Sequence, residues 1–111
     1  MRQLLCSFLC VVATSALANN AIIGAGGTTC GKWVENRRTD AYYHHQLNWV
    51  LGFVSSYNYY LHAGTETYGV IGSTDSASIA VWMDNYCKEN PLETVFAGSV
   101  QLVTELKARA R

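Results

Sequence analysis

The sequence predicts an all-α protein, and three observations carry the prediction. Apolar residues recur at helical spacing over three long stretches, helix-capping residues stand at the starts of those stretches, and no credible pair of strands appears. The chain has 111 residues, half of them apolar, 12% aromatic and 14% charged, with eight Lys+Arg balancing eight Asp+Glu. The length fits one domain. The balance argues against nucleic acid as a partner, because there is no basic excess to displace counterions from phosphates. It also argues against disorder, which needs low hydrophobicity and high net charge.

Residues 1–18 read as a secretory signal peptide. Arg2 is followed by an apolar stretch from Leu4 to Ala13, then by Ala16-Leu17-Ala18, an Ala-x-Ala cleavage pattern. The run is shorter than the ~20 apolar residues of a membrane span. Cys6 and Cys10 each follow a leucine, which does not fit a lipoprotein site. The expectation is a soluble, exported mature protein beginning near Asn19, with no membrane segment once the signal is cleaved. Cleavage removes Cys6 and Cys10 and leaves Cys30 and Cys87 in an oxidising compartment, where two cysteines most simply form one disulfide. The loop closed is about 58 residues, worth ~4 kcal/mol by chain entropy. A Cys30 nucleophile is the alternative. Metal ligation fits less well, since no Cys or His stands at ligand spacing beside either. Residues 19–29, with Gly24-Ala25-Gly26-Gly27, are expected as a flexible leader; no Lys-Ser/Thr follows to make a phosphate loop. The domain itself is expected over residues 30–108.

Cys30 to Arg38 is expected as a short helix with Trp33 and Val34 inward. Thr39 or Asp40 is then a candidate N-cap for the strongest helix, Asp40 to His62. At 100° per residue, Tyr43, Leu47, Val50, Leu51, Val54 and Leu61 share one face. Tyr42, Trp49, Phe53 and Tyr60 share the opposite face, with His44, Asn48, Ser55 and His62 on a polar stripe between. A helix apolar on two sides is either central in its own fold or covered by a partner. Residues 63–74 contain three glycines and no helical period and are expected as a loop, with Val70 and Ile71 turned inward. Thr74 or Asp75 caps a helix to about Glu89, with Ile79, Trp82, Met83 and Tyr86 as its inward stripe. Asn90-Pro91-Leu92-Glu93 reads as a helix start, with Asn90 the N-cap, Pro91 at N1 and Glu93 closing a capping box. Leu92, Val95, Phe96, Ser99, Leu102, Val103 and Leu106 continue that helix.

Catalytic constellations do not emerge. His44 and His45 are adjacent and diverge on a helix, and His44 and His62 are about 27 Å apart by helix rise. No His-Glu-x-x-His, Gly-x-Ser-x-Gly or Ser-x-x-Lys pattern occurs. The expectation is a binding protein without cofactor or metal rather than an enzyme.

The stretch Trp49-Val-Leu-Gly-Phe-Val-Ser-Ser-Tyr-Asn58 and the stretch Trp82-Met-Asp-Asn-Tyr-Cys-Lys-Glu-Asn-Pro-Leu92 resemble the Rap/Tai-type immunity proteins. These are small periplasmic helical proteins encoded beside type VI secretion amidase toxins. The resemblance runs from about Cys30-Gly31-Lys32-Trp33 to Glu105-Leu106, and Tyr86-Cys87 followed by Asn90-Pro91-Leu92 is its most specific part. It implies a small bundle of four to five helices with one disulfide, Cys30–Cys87, and often a homodimer. It implies that the protein binds and occludes a peptidoglycan amidase effector, protecting the producer from self-intoxication. Members insert a protruding loop into the toxin cleft, and here the matching element is the 63–74 loop. Candidate partner-binding residues are therefore His62, Glu66 and Tyr68, together with the aromatic face Tyr42, Trp49, Phe53 and Tyr60. Two other classes stand beside this reading. One is a periplasmic acid-stress chaperone of the HdeA kind, which the few carboxylates disfavour. The other is a small hydrolase using Cys30 or a His, which a Cys30–Cys87 bridge excludes in its thiol form.

Overall fold

The computed structural model describes residues 21–61 and 69–110, so the segment read as a signal peptide and the loop residues His62, Glu66 and Tyr68 lie outside the described residues. Within them the fold is all-α: α1 (Cys30–Thr39), α2 (Tyr43–Tyr60), α3 (Ser76–Glu89) and α4 (Val95–Arg109), preceded by a 3₁₀ turn at Ala25–Gly27. Among the described residues no helix is long and apolar enough to cross a membrane.

Cys30 at the start of α1 and Cys87 near the end of α3 are bonded, with their Cα atoms 4.6 Å apart. The bridge sits inside one apolar core with Trp33, Val50, Met83 and Val95, all fully buried. Trp33 lies in it because α1 packs against α3 along its length, which is the role the sequence assigns to that side chain. Gly98 admits the chain closest to α3. A Cβ there would stand 2.8 Å from Met83 Cε and 2.9 Å from Tyr86 Cδ1, so the close approach of α4 to these two side chains rests on a glycine.

Three element boundaries depart from the sequence reading, each for a local reason. The corner between α1 and α2 has only Asp40, Ala41 and Tyr42 to reverse the chain. Asp40 and Tyr42 both adopt the left-handed region, at φ 55°, a cost of ~1–2 kcal/mol per non-glycine residue. Thr39 therefore does not cap α2. It is the last residue of α1, and its hydroxyl donates to the Glu35 carbonyl at 3.2 Å. α4 starts at Val95, not at Pro91. The carbonyls of Pro91 and Glu93 accept from the amides of Gly31 (3.0 Å) and Cys30 (2.7 Å), which satisfies the first donors of α1. Those carbonyls are held across the chain, so 90–93 forms a turn and Thr94 caps α4, its hydroxyl accepting from the Ala97 amide at 3.1 Å. Leu92 is left 95% exposed instead of continuing the inward stripe. Leu61, expected on the core face of α2, is 70% exposed at the C-cap, just past the end of the helix at Tyr60.

The third helix follows its reading. Asp75 caps α3 by accepting from the Ser78 amide at 2.7 Å, and Ile79 and Met83 are buried. Val70 is buried as well, its amide donating to Asn58 Oδ1 at 2.8 Å.

The described part of the expected flexible leader, 21–29, is packed. Trp49 Nε1 donates to the Ile23 carbonyl at 2.8 Å, and the Val95 amide donates to the Thr28 carbonyl at 2.9 Å. Gly26 is buried against the Trp49 ring, where a Cβ would stand 2.2 Å from Cζ2. Gln46, buried on α2, locks the same segment: its amide donates to Thr28 Oγ1 (2.9 Å) and its carbonyl accepts from Asn36 (3.0 Å). Glycine is thus required at 26 for close approach, not for flexibility. Gly26→Ala is expected to cost about 1–3 kcal/mol by overpacking. Denaturant unfolding followed by tryptophan fluorescence measures it, and a loss below about 0.5 kcal/mol would show that the segment does not contribute.

Candidate interaction surface

The second apolar face of α2 is divided by what the fold places over it. Its middle is covered from within. Trp49 stacks on Phe53 (centroids 5.6 Å, planes 19° apart), and Phe96 from α4 meets both edge-on at 6.4 and 5.8 Å. With the 22–27 segment over Trp49, both Trp49 and Phe53 are half-buried. Its ends are open: Tyr42 is 75% exposed and Tyr60 77%.

The open end that gathers most apolar surface is the last turn of α2. Tyr57 is held under Lys107 of α4, whose Nζ lies 5.7 Å from the ring centroid, and Asn58 is held by the Val70 amide. With those two positions turned inward, the next residues face outward. Tyr59 is 80% exposed and packs edge-on against Tyr60 at 4.8 Å, and the exposed Leu61 follows. The patch is neutral as well as apolar, since α2 contains no Asp, Glu, Lys or Arg from Tyr43 to Tyr60. It stands where the chain enters the 63–74 stretch that the sequence reading singled out. Tyr59 was missed in that reading because helical periodicity placed it on neither apolar face.

The sequence reading also missed the principal polar cluster, because its members are far apart in the chain. Asp84 of α3 accepts from Trp33 Nε1, Arg37 Nε and Arg37 Nη2, each at 2.8 Å. The Arg37 guanidinium lies over the Tyr43 ring, 4.3 Å from its centroid. Burial pushes the Asp84 carboxyl up, but the hydrogen bonds and charge of Arg37 and the bond from Trp33 outweigh it and hold it below the usual carboxylate value. The hydrogen bond to Asp84 raises Arg37 in turn. Both Asp84 oxygens are engaged by Arg37, and the cluster ties α1, α2 and α3 together. A second pair, Glu105 and Trp82, joins α4 to α3. The bond from Trp82 Nε1 and the pair with Arg109 hold Glu105 below its ordinary value.

The bonded Cys30 and Cys87 leave no thiol nucleophile at either position. His44 and His45 are exposed at the start of α2. Among the described residues no three His, Cys, Asp or Glu side chains come together as metal ligands. No protein-family model matches the chain, and no curated protein and no solved structure is detectably similar to it.

Proposed function

We propose that the protein is a periplasmic immunity protein of the Rap/Tai type, which binds a peptidoglycan amidase effector of a type VI secretion system and occludes its cleft. The observation that carries the reading is the neutral patch of Tyr59, Tyr60 and Leu61 at the end of α2, next to the stretch expected to protrude. Interface hot spots are exposed aromatics that become desolvated against a partner pocket. Occlusion requires shape and burial and no chemistry, which suits a surface of this composition. The signal-like residues 1–18 and the disulfide support an oxidising compartment.

The test is binding of the purified protein to the product of the gene adjacent to its own, measured by calorimetry. A cell-wall amidase that binds, and is inhibited in the complex, supports the reading. A neighbour that is not a cell-wall hydrolase, or does not bind, removes it. Tyr59→Ala with Tyr60→Ala is expected to weaken the complex by about 2–4 kcal/mol, or ~30-fold or more. Folding stability is expected to change little, because both rings are exposed.

The acid-stress chaperone reading has one observation in its favour: two carboxylates, Asp84 and Glu105, each hold a tryptophan indole across helices. Both groups have folded values below their unfolded ones. The stability they contribute is therefore full above the ordinary carboxylate range and is lost as pH falls through the depressed values. Between about pH 7 and about pH 3 the denaturant midpoint is expected to fall. Strong binding of a hydrophobic dye at the acid end, with helix content retained, would favour the chaperone over the immunity reading.

A further inference from the structure

A concave basic surface lies between α1 and α3 and shares no residue with the aromatic end of α2. Val34, Arg37 and Arg38 of α1, with Asp84 and Lys88 of α3, line an open pocket of about 470 Å³, within the size range of small-molecule sites. Three of the six Lys and Arg residues among the described residues converge here, in a chain whose formal charges balance. Each suits the last turn of its own helix, where the dipole favours a cation. Their convergence is not local. It follows from the packing of α1 on α3, fastened by the Cys30–Cys87 bond and by Trp33 and Arg37 on Asp84.

The groups left without partners define the ligand. Asp84 is the only carboxylate in the lining, and Arg37 takes both of its oxygens. Arg37 spends Nε and Nη2 on that pair and is steadied by the Tyr43 ring, so its Nη1 donors remain. Arg38 and Lys88 are exposed and have no ion pair among the described residues. Lys88 is near enough for its charge to help hold the Asp84 carboxyl down. The neighbouring carboxylates Glu35, Asp40 and Glu89 lie outside the lining, and Glu35 is taken by Lys32 at 2.8 Å. Like charges gathered against one spent carboxylate repel each other, and a bound anion relieves that repulsion.

We infer that this pocket binds a dianionic phosphate group. Two guanidinium groups and one ammonium on two helices are met together by a group with three acceptor oxygens, whereas a single carboxylate offers two. Arginine matches phosphate through paired N–H donors, and lysine adds a point charge. The charge of a phosphomonoester suits an excess of two cations. Inorganic phosphate and the headgroup of a phosphomonoester lipid share this chemistry. The pocket is open, so binding is weak and fast.

The wall of the pocket carries its own reporter. Trp33 Nε1 donates to Asp84, whereas Trp49 and Trp82 donate to the Ile23 carbonyl and to Glu105 and serve as controls. The experiment is titration of the purified, isotope-labelled protein with inorganic phosphate at about pH 7.5, where the dianion dominates, with ionic strength held constant by chloride. The Trp33 indole N–H resonance should move saturably, with a Kd of about 1–10 mM, while those of Trp49 and Trp82 stay in place. Arg38→Gln and Lys88→Gln, both at exposed positions, should keep the indole spectrum and each weaken binding by about three- to tenfold. Co-sedimentation with phosphatidylcholine vesicles containing phosphatidic acid separates the sources. Capture that both variants lose assigns the headgroup, and a Trp33 shift without capture assigns the soluble ion. The inference is overturned if Trp33 does not move up to about 50 mM phosphate and no vesicles are captured, or if both variants bind unchanged. It is equally overturned if succinate, a dicarboxylate, binds as tightly as phosphate, since charge alone would then explain the effect.

Discussion

Replacing Cys30 and Cys87 together with alanine is expected to destabilise the protein by about 2–5 kcal/mol. The bond spans a sequence separation of 57, a long closure, and chain entropy alone assigns it ~4 kcal/mol. Its position adds to the effect. Both sulfurs are fully buried, and the bond fastens the first turn of α1 to the last turn of α3. The amides of Cys30 and Gly31 also anchor the 91–93 turn, so loosening α1 loosens the start of α4. A domain of this size has a total stability of roughly 5–15 kcal/mol, so the loss is a large fraction of it. Thermal unfolding should show a midpoint lower by roughly 10 °C or more. Reduction of the wild-type protein should give the same shift. A double-alanine variant as stable as the oxidised protein would mean that the helices hold α1 without the bond. Serine at the two positions should be worse than alanine, because it buries two hydroxyls without assured partners.

Trp33→Ala should have a comparable effect, about 3–5 kcal/mol, the range for removing a large buried aromatic. Trp33 is fully buried, meets Tyr43 edge-on at 5.7 Å, and donates to Asp84. Three variants separate the packing from the polar contribution. Trp33→Phe keeps most of the apolar volume and loses the N–H donor. Asp84→Asn keeps the shape and removes the charge that pairs with Arg37, at an expected cost of about 1–3 kcal/mol. If packing dominates, Trp33→Phe lies much closer to wild type than Trp33→Ala does. A Trp33→Phe variant as damaged as Trp33→Ala would shift the weight to the hydrogen bond. Denaturant midpoints at constant slope give the comparison.

Much of the fold was legible because helices are local. The stripe Tyr43, Leu47, Val50 and Val54 repeats within one helix, and all four are buried. Asp75 caps the residues immediately after it, so the start of α3 could be read from a few positions. The errors lie where a distant segment competes for a local group. Asn90-Pro91-Leu92-Glu93 satisfies the local rules for a helix start, yet its carbonyls are taken by the amides of Gly31 and Cys30 about sixty residues away. Gly24 to Gly27 has the composition of a flexible stretch, but small residues are also what closest packing onto an indole requires. The candidate surface was legible only in part. Tyr60 was identified and is open, whereas Trp49 and Phe53 were identified and are half-buried against Phe96 and the 22–27 segment. The Asp84 cluster was invisible because it joins residues 33, 37, 43 and 84, which no periodicity relates.

By itself the sequence determined the all-α class, the central positions of each long helix's core stripe and the capping of α3. Each depends on interactions within a few residues, so composition and spacing suffice. Only the tertiary structure decided how the second face of α2 is divided, with its middle half-buried and its last turn open. Burial of that face depends on which segments arrive over it, and Gly26 and Phe96 come from opposite ends of the chain to do so.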